Sequence, residues 1–151
     1  MSGTAGTAAG RRKARRFAVQ ALYQWQLSGT EPSDIEAWFR AENDLRKTDT
    51  AYFHDLLLGV TGRVNEIDEL LAPVLDRSVD GLGQVEKAVL RLGTFELLAR
   101  IDVPRKVVIN EGIELARLFG SETSFRYVNG VLDKVARQLR AAETGADDSG
   151  A

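Results

Sequence analysis

The chain reads as an all-α protein, and three observations predict it. Apolar residues recur at three- and four-residue steps along most of its length, the period of one helix face. No segment shows the sustained alternation of a half-buried strand. Its 44 % hydrophobic and 28 % charged residues are ordinary for a globular domain, and 151 residues suffice for one real core. Connections between the helical segments are short, which makes sequential helices antiparallel neighbours.

Each element has its own signals. From Arg11 to Leu27, Ala14, Ala18, Ala21, Leu22 and Trp25 form one apolar stripe, ended by Ser28-Gly29-Thr30 and Pro32. A short second helix starts at Ser33, with Glu36 completing a capping box and Ile35, Trp38 and Phe39 as its apolar side. Asp49 caps a long third helix whose apolar positions run from Tyr52 and Phe53 to Leu70 and Leu71, stopping at Pro73. Gly59 and Gly62 inside it read as sites of close helix packing. The segment 73–83 holds one Pro and two Gly and is the expected joint between two halves. Leu82 to Arg100 is apolar on more than one side, as expected of a helix running through the middle of the domain. After Val103-Pro104 a further helix carries Val108, Ile109, Ile113, Ala116 and Phe119 up to Gly120, a natural C′ residue. The last helix presents Phe125, Val128, Leu132, Val135 and Leu139. Gly93 and Gly112 lie inside helices, where glycine costs up to about 1 kcal/mol relative to alanine, and close helix approach is the expected reason. Residues 1–10 and the acidic tail 142–151 are small and polar and are expected to be disordered, leaving 11–141 as the folded domain.

The means of catalysis are scarce. Cysteine is absent, which excludes disulfides, thiolate zinc sites and cysteine nucleophiles, and the single histidine, His54, excludes a two-histidine metal site. No glycine-rich phosphate loop followed by lysine is present. His54 falls on the polar edge of the third helix without an identifiable nucleophile, so it reads as an edge histidine. These absences predict no enzyme, no metal and no cofactor. No apolar run is long enough to span a membrane, and Gln20, Gln24 and Gln26 interrupt what would be the apolar part of an export signal, so the expected location is the cytoplasm.

Charge is more telling. Five of the six residues from Arg11 to Arg16 are cationic, although the whole chain carries a net −2; setting those five aside leaves the rest at −7. Positive side chains at the start of a helix oppose its macrodipole, so helix stability does not account for them. They form an electrostatic footprint for a polyanion. Arg12, Arg16 and Tyr23 fall near one side of the first helix, away from Ala14, Ala18 and Trp25. A cationic stripe ending in an aromatic suits single-stranded RNA: cations neutralise phosphates and release counterions, and the ring offers a base a stacking platform. Arg126 and Tyr127 make a second aromatic–basic pair and could extend that surface. No helix-turn-helix spacing points to duplex DNA.

The segments Arg11-Arg12-Lys13-Ala14-Arg15-Arg16 with 18–26, Leu82 to Arg91, Val103-Pro104, Ile109-Asn110-Glu111, Phe119-Gly120 and Tyr127 to Lys134 together resemble the NusB family of bacterial transcription antitermination factors. The blocks occur in order and cover about Arg11 to Arg137. The resemblance implies about seven helices in two small sub-bundles sharing the central hydrophobic helix, and a role without catalysis. It implies binding of boxA-type single-stranded RNA of nascent rRNA leaders together with the ribosomal protein NusE, and loading of an antitermination complex on RNA polymerase. Its RNA-contacting positions would be Arg11, Arg12, Lys13, Arg15, Tyr23, Arg91, Arg126 and Tyr127, with Arg16 adding to the basic cluster and Glu86 meeting NusE. Proteins similar to this one occur as monomers or as homodimers paired through the first helix. Arg16 makes the patch more basic than is usual, and Thr123 stands where relatives often carry Asp. Two other readings compete: the RNA-binding domain of an rRNA cytosine methyltransferase, opposed by the missing cysteine and cofactor loop, and a helical protein-interaction module without RNA specificity.

Overall fold

The computed structural model describes residues 6–141. The stretch 1–5 and the tail 142–151, expected to be disordered, lie outside the described residues. Among those described there are seven α-helices, two short 3-10 turns and no strand. None of these helices is long and apolar enough to cross a membrane. The chain divides into two compact units between Arg63 and Val64.

The first unit holds α1 (Ala8–Ser28), α2 (Pro32–Glu42) and α3 (Thr50–Gly62). Helix α1 begins earlier than expected, because the Thr7 hydroxyl accepts the Gly10 N–H at 3.2 Å and caps it; residues 8–10 are helical. Its buried stripe is Ala14, Ala18, Ala21 and Leu22, as the spacing predicts, and Gly29 ends it in the left-handed conformation at φ 70°. Small alanines let α2 and α3 approach α1 closely, and one phenylalanine from each helix fills the centre. Phe17, Phe39 and Phe53 meet with ring centroids 6.0–6.3 Å apart. Such contacts add about 0.5–1.5 kcal/mol beyond the area they bury.

Four expectations are corrected here. Ser33 does not cap α2: Pro32 occupies the first turn, Glu31 is the cap without a side-chain bond, and no capping box forms. Glu36 is instead buried, accepting from Arg40 at 2.8 Å and lying 2.7 Å from His54 Nδ1. Trp38 is 53 % exposed and only edges onto Phe39. The long third helix is two, broken at Arg63, where the α3 C-terminus closes on Gly59 and Val60. Nothing would meet a Cβ at Gly62, so that glycine does not serve close packing. The expected cap Asp49 does cap α3, its carboxylate accepting the Tyr52 N–H at 3.0 Å.

The second unit contains α4 (Val64–Leu71), the turns Ala72–Val74 and Val79–Gly81, α5 (Gln84–Ala99), α6 (Arg105–Phe119) and α7 (Ser124–Leu139). The segment 73–83 thus lies within this unit, about ten residues after the observed division, as the connection from α4 to α5. Helix α5 is buried without interruption from Lys87 to Leu97, the consequence of its all-round apolar sequence, and α4, α6 and α7 pack on it. Both internal glycines answer to one side chain. A Cβ on Gly93 would stand 2.8 Å from a Leu132 methyl, and one on Gly112 only 2.6 Å from the other. Leu132, fully buried on α7, therefore wedges between α5 and α6 in space that only glycine leaves. Gly120 closes α6 at φ −97°, so its role is not left-handed backbone; a Cβ there would lie 2.7 Å from the Ala116 carbonyl oxygen.

Candidate nucleic-acid interface

The arm of α1 splits into two faces. Arg11 and Arg15, one turn apart, point at α3: the Arg11 guanidinium lies 4.3 Å from the Tyr52 ring centroid and that of Arg15 5.4 Å. Arg15 is only 3 % exposed, and Arg11 Nε also stands 3.9 Å from the Asp49 carboxylate. Arg12 and Arg16 follow each of these by one position and are exposed; Lys13 is half-buried. A cation over an aromatic face contributes about 0.5–1 kcal/mol at the surface and about 2 or more when desolvated. The inward pair therefore offsets the repulsion that five clustered cations impose on a helix start, which no acidic residue in the first turn relieves.

Tyr23 is exposed on the same side as Arg12 and Arg16. Eleven residues at about 1.5 Å each place its backbone about 16 Å along the axis from Arg12. The outward face of α1 is thus two guanidiniums followed by a ring.

The second unit holds the other predicted residues. Arg126 is exposed on α7, with its guanidinium 5.6 Å from the Phe125 ring centroid, while Arg117 approaches the same ring to 4.5 Å. Tyr127 is half-buried; its hydroxyl donates to Asp76 at 2.9 Å and Arg77 sits 4.9 Å from its ring centroid. Arg77, then Tyr127, hold the Asp76 carboxyl down to about 2 by hydrogen bonding. Burial, with the Asp76 bond added, pushes the Tyr127 phenol up. Beside them opens a groove of about 340 Å³ lined by Pro73, Leu75, Asp76, Arg126, Tyr127 and Lys134, among others. Arg91, by contrast, is 8 % exposed and forks onto Asp68, with Nε and Nη2 at 3.0 and 2.8 Å from the two carboxylate oxygens. Glu86 lies in the first turn of α5 and is half-buried. Among the described residues no cluster of three or more His, Asp or Glu side chains could hold a metal ion.

The sequence marks Tyr52 only as an apolar position of the third helix, and carries no signal for Asp68, Asp76 or Arg77. Nothing local to Tyr52 signals that its ring receives guanidiniums from a helix some forty residues earlier, and the same holds for Asp68 and Arg91.

A model of the NusB family matches residues 12–137. The chain belongs to the NusB family. It is 67 % identical over 137 residues to the transcription antitermination protein NusB of Alcanivorax borkumensis, with 91 % of each chain covered. Identity to the NusB of Pseudomonas savastanoi is 55 % over 141 residues, spanning 93 % of this chain and 86 % of that one. Among solved structures, T. maritima NusB superimposes with a TM-score of 0.75 at 33 % identity, covering 84 % of this chain and 90 % of the other. A NusB solved with NusE and double-stranded RNA matches with a TM-score of 0.79 at 28 % identity, over 87 % of this chain and 99 % of that one. The all-helical NusB fold expected from the ordered sequence blocks is the fold observed.

Proposed function

We propose that this protein is a transcription antitermination factor without catalytic activity. In this reading it binds boxA-type single-stranded RNA of nascent rRNA leaders together with the ribosomal protein NusE, and helps load the antitermination complex on RNA polymerase in the cytoplasm. The observation that carries the reading is the outward face of α1, where exposed Arg12 and Arg16 align with the exposed ring of Tyr23. Cations at helical spacing neutralise consecutive phosphates, and a ring at the end of the row stacks a base that is not paired. Family membership supports it, as does the relative solved with NusE and RNA.

In this reading exposure is the guide to each residue's role. Arg12, Lys13, Arg16 and Tyr23 on α1, with Arg126 and Tyr127 on α7, are assigned to RNA contact. Arg11, Arg15 and Arg91 are assigned to holding the protein's own structure, because their guanidiniums are engaged by Tyr52 and Asp68. Glu86 is assigned to NusE: a carboxylate on an otherwise acidic chain suits a basic ribosomal protein.

Fluorescence anisotropy with a labelled boxA-type RNA, titrated at several salt concentrations, tests the assignment. About four phosphate contacts on a single strand give a log–log slope near −3. Arg12→Ala with Arg16→Ala should reduce its magnitude by about 1.4, and Tyr23→Ala should cost about 1–3 kcal/mol. An unchanged slope removes the α1 face from the site. Equal or tighter binding of the same sequence as a duplex, insensitive to Tyr23→Ala, replaces the stacking mechanism with recognition of paired RNA.

A further inference from the structure

Although Thr7 caps α1, its stretch 11–16 is an unfavourable helix on its own terms, since like charges stand at i,i+4 in Arg11/Arg15 and Arg12/Arg16 and no first-turn acid offsets them. The structure ties it to the start of α3 at three points. The Asp49 N–H donates to the Gly10 carbonyl at 3.1 Å, the Asp49 carboxylate lies 3.9 Å from Arg11 while capping α3, and the Tyr52 ring receives both Arg11 and Arg15. Tyr52 is 2 % exposed, so its ring is fixed by the surrounding core. The two guanidiniums seated on it sit one residue before each of the two exposed ones. Fixing Arg11 and Arg15 therefore sets the direction in which Arg12 and Arg16 leave the helix.

We infer that Tyr52 is a positioning residue of the RNA site: its buried ring anchors Arg11 and Arg15, so that Arg12 and Arg16 project from an ordered helix rather than from a fraying end. The inference rests on the RNA reading of α1 given above. An arm already ordered in the free protein does not lose its conformational freedom again when RNA binds, and affinity rises by that amount. Tyr52 itself touches no RNA.

Two variants and a cycle test this. Tyr52→Leu removes the ring and should weaken binding of the labelled boxA-type RNA about fivefold to tenfold, with helical content retained by circular dichroism. Tyr52→Phe keeps the ring and should stay within about twofold of the parent. In the Arg12→Ala, Arg16→Ala background, Tyr52→Leu should produce a much smaller further loss, because most of its effect passes through those two side chains. Amide hydrogen exchange of residues 8–16 should accelerate in Tyr52→Leu and not in Tyr52→Phe. The same fold-loss in both backgrounds would show a general structural effect and overturn the inference, as would unaltered exchange in the arm. Failure of the parent protein to bind RNA in either form would refute the RNA reading instead. The exchange result would still decide whether Tyr52 anchors the arm.

Discussion

Arg140 stands at the C-cap of α7, where the sequence is already turning small and acidic, and it closes the end of a different helix. Its guanidinium donates to the carbonyls of Leu97 at 2.8 Å, Val103 at 3.0 Å, Arg100 at 3.0 Å and Glu96 at 3.2 Å, and the residue is only 6 % exposed. The last carbonyls of α5 have no intrahelical donors, and the negative end of its dipole favours a cation there. Arg140→Met keeps most of the apolar stem and removes all the donors. The Glu96 and Arg100 carbonyls would each retain a backbone N–H, from Arg100 and Val103, and so lose only their second bond. Those of Leu97 and Val103 would lose the donor that reaches them inside the protein, at about 1–3 kcal/mol each. With a small contribution from the other two, the expected destabilisation is about 3–5 kcal/mol, a large share of a typical domain's 5–15. Urea unfolding followed by circular dichroism measures it, and the midpoint temperature should fall by about 10 °C or more. Arg140→Lys, a cation without the planar fork, should lose about half as much. A loss under about 1 kcal/mol in Arg140→Met would show that water replaces the guanidinium without penalty and would refute the capping argument.

Glycines supply a second test, with opposite signs from one residue type. Gly112→Ala drives a Cβ into Leu132, so overpacking of about 1–3 kcal/mol should outweigh the gain of about 1 in helix propensity. Gly130→Ala meets nothing within 4 Å and should stabilise by up to about 1 kcal/mol, both read from thermal melts. At Tyr127 the signs concern protons. The Asp76 carboxyl is held down to about 2, so its bond to the phenol is fully present above the ordinary carboxylate range near 4 and is lost as pH falls through about 2. Asp76→Asn should lower the pH at which Tyr127 ionises in an ultraviolet titration, since burial alone then opposes the phenolate. Glu36 titrates in the same sense. Burial raises its carboxyl, but bonds from Arg40 and His54 outweigh that and hold it below its ordinary value. The stabilisation it gives the first unit should therefore be complete near neutral pH and fade only under acid conditions, which a pH series of urea midpoints checks.

Periodicity and composition were enough to determine the all-helical class, the main helix spans, the caps at Asp49 and Gly29, and the fully buried α5, because each depends on residues within a turn or two of one another. The cationic cluster and Tyr23 were legible for the same reason: helical spacing alone places Arg12, Arg16 and Tyr23 on one side. Local signals misled in two places. Glu36, spaced as a capping-box residue, is claimed by Arg40 and His54, and the third helix breaks at Arg63 although its apolar pattern runs on. Tertiary structure alone decided which arginines face outward and which are taken up by Tyr52 and Asp68. It also decided that Gly93 and Gly112 both yield to Leu132, and that Arg140 completes α5. Those are contacts between residues tens of positions apart, and a one-dimensional pattern holds no information on which of several chemically equivalent arginines the folded chain brings against a given ring or carboxylate.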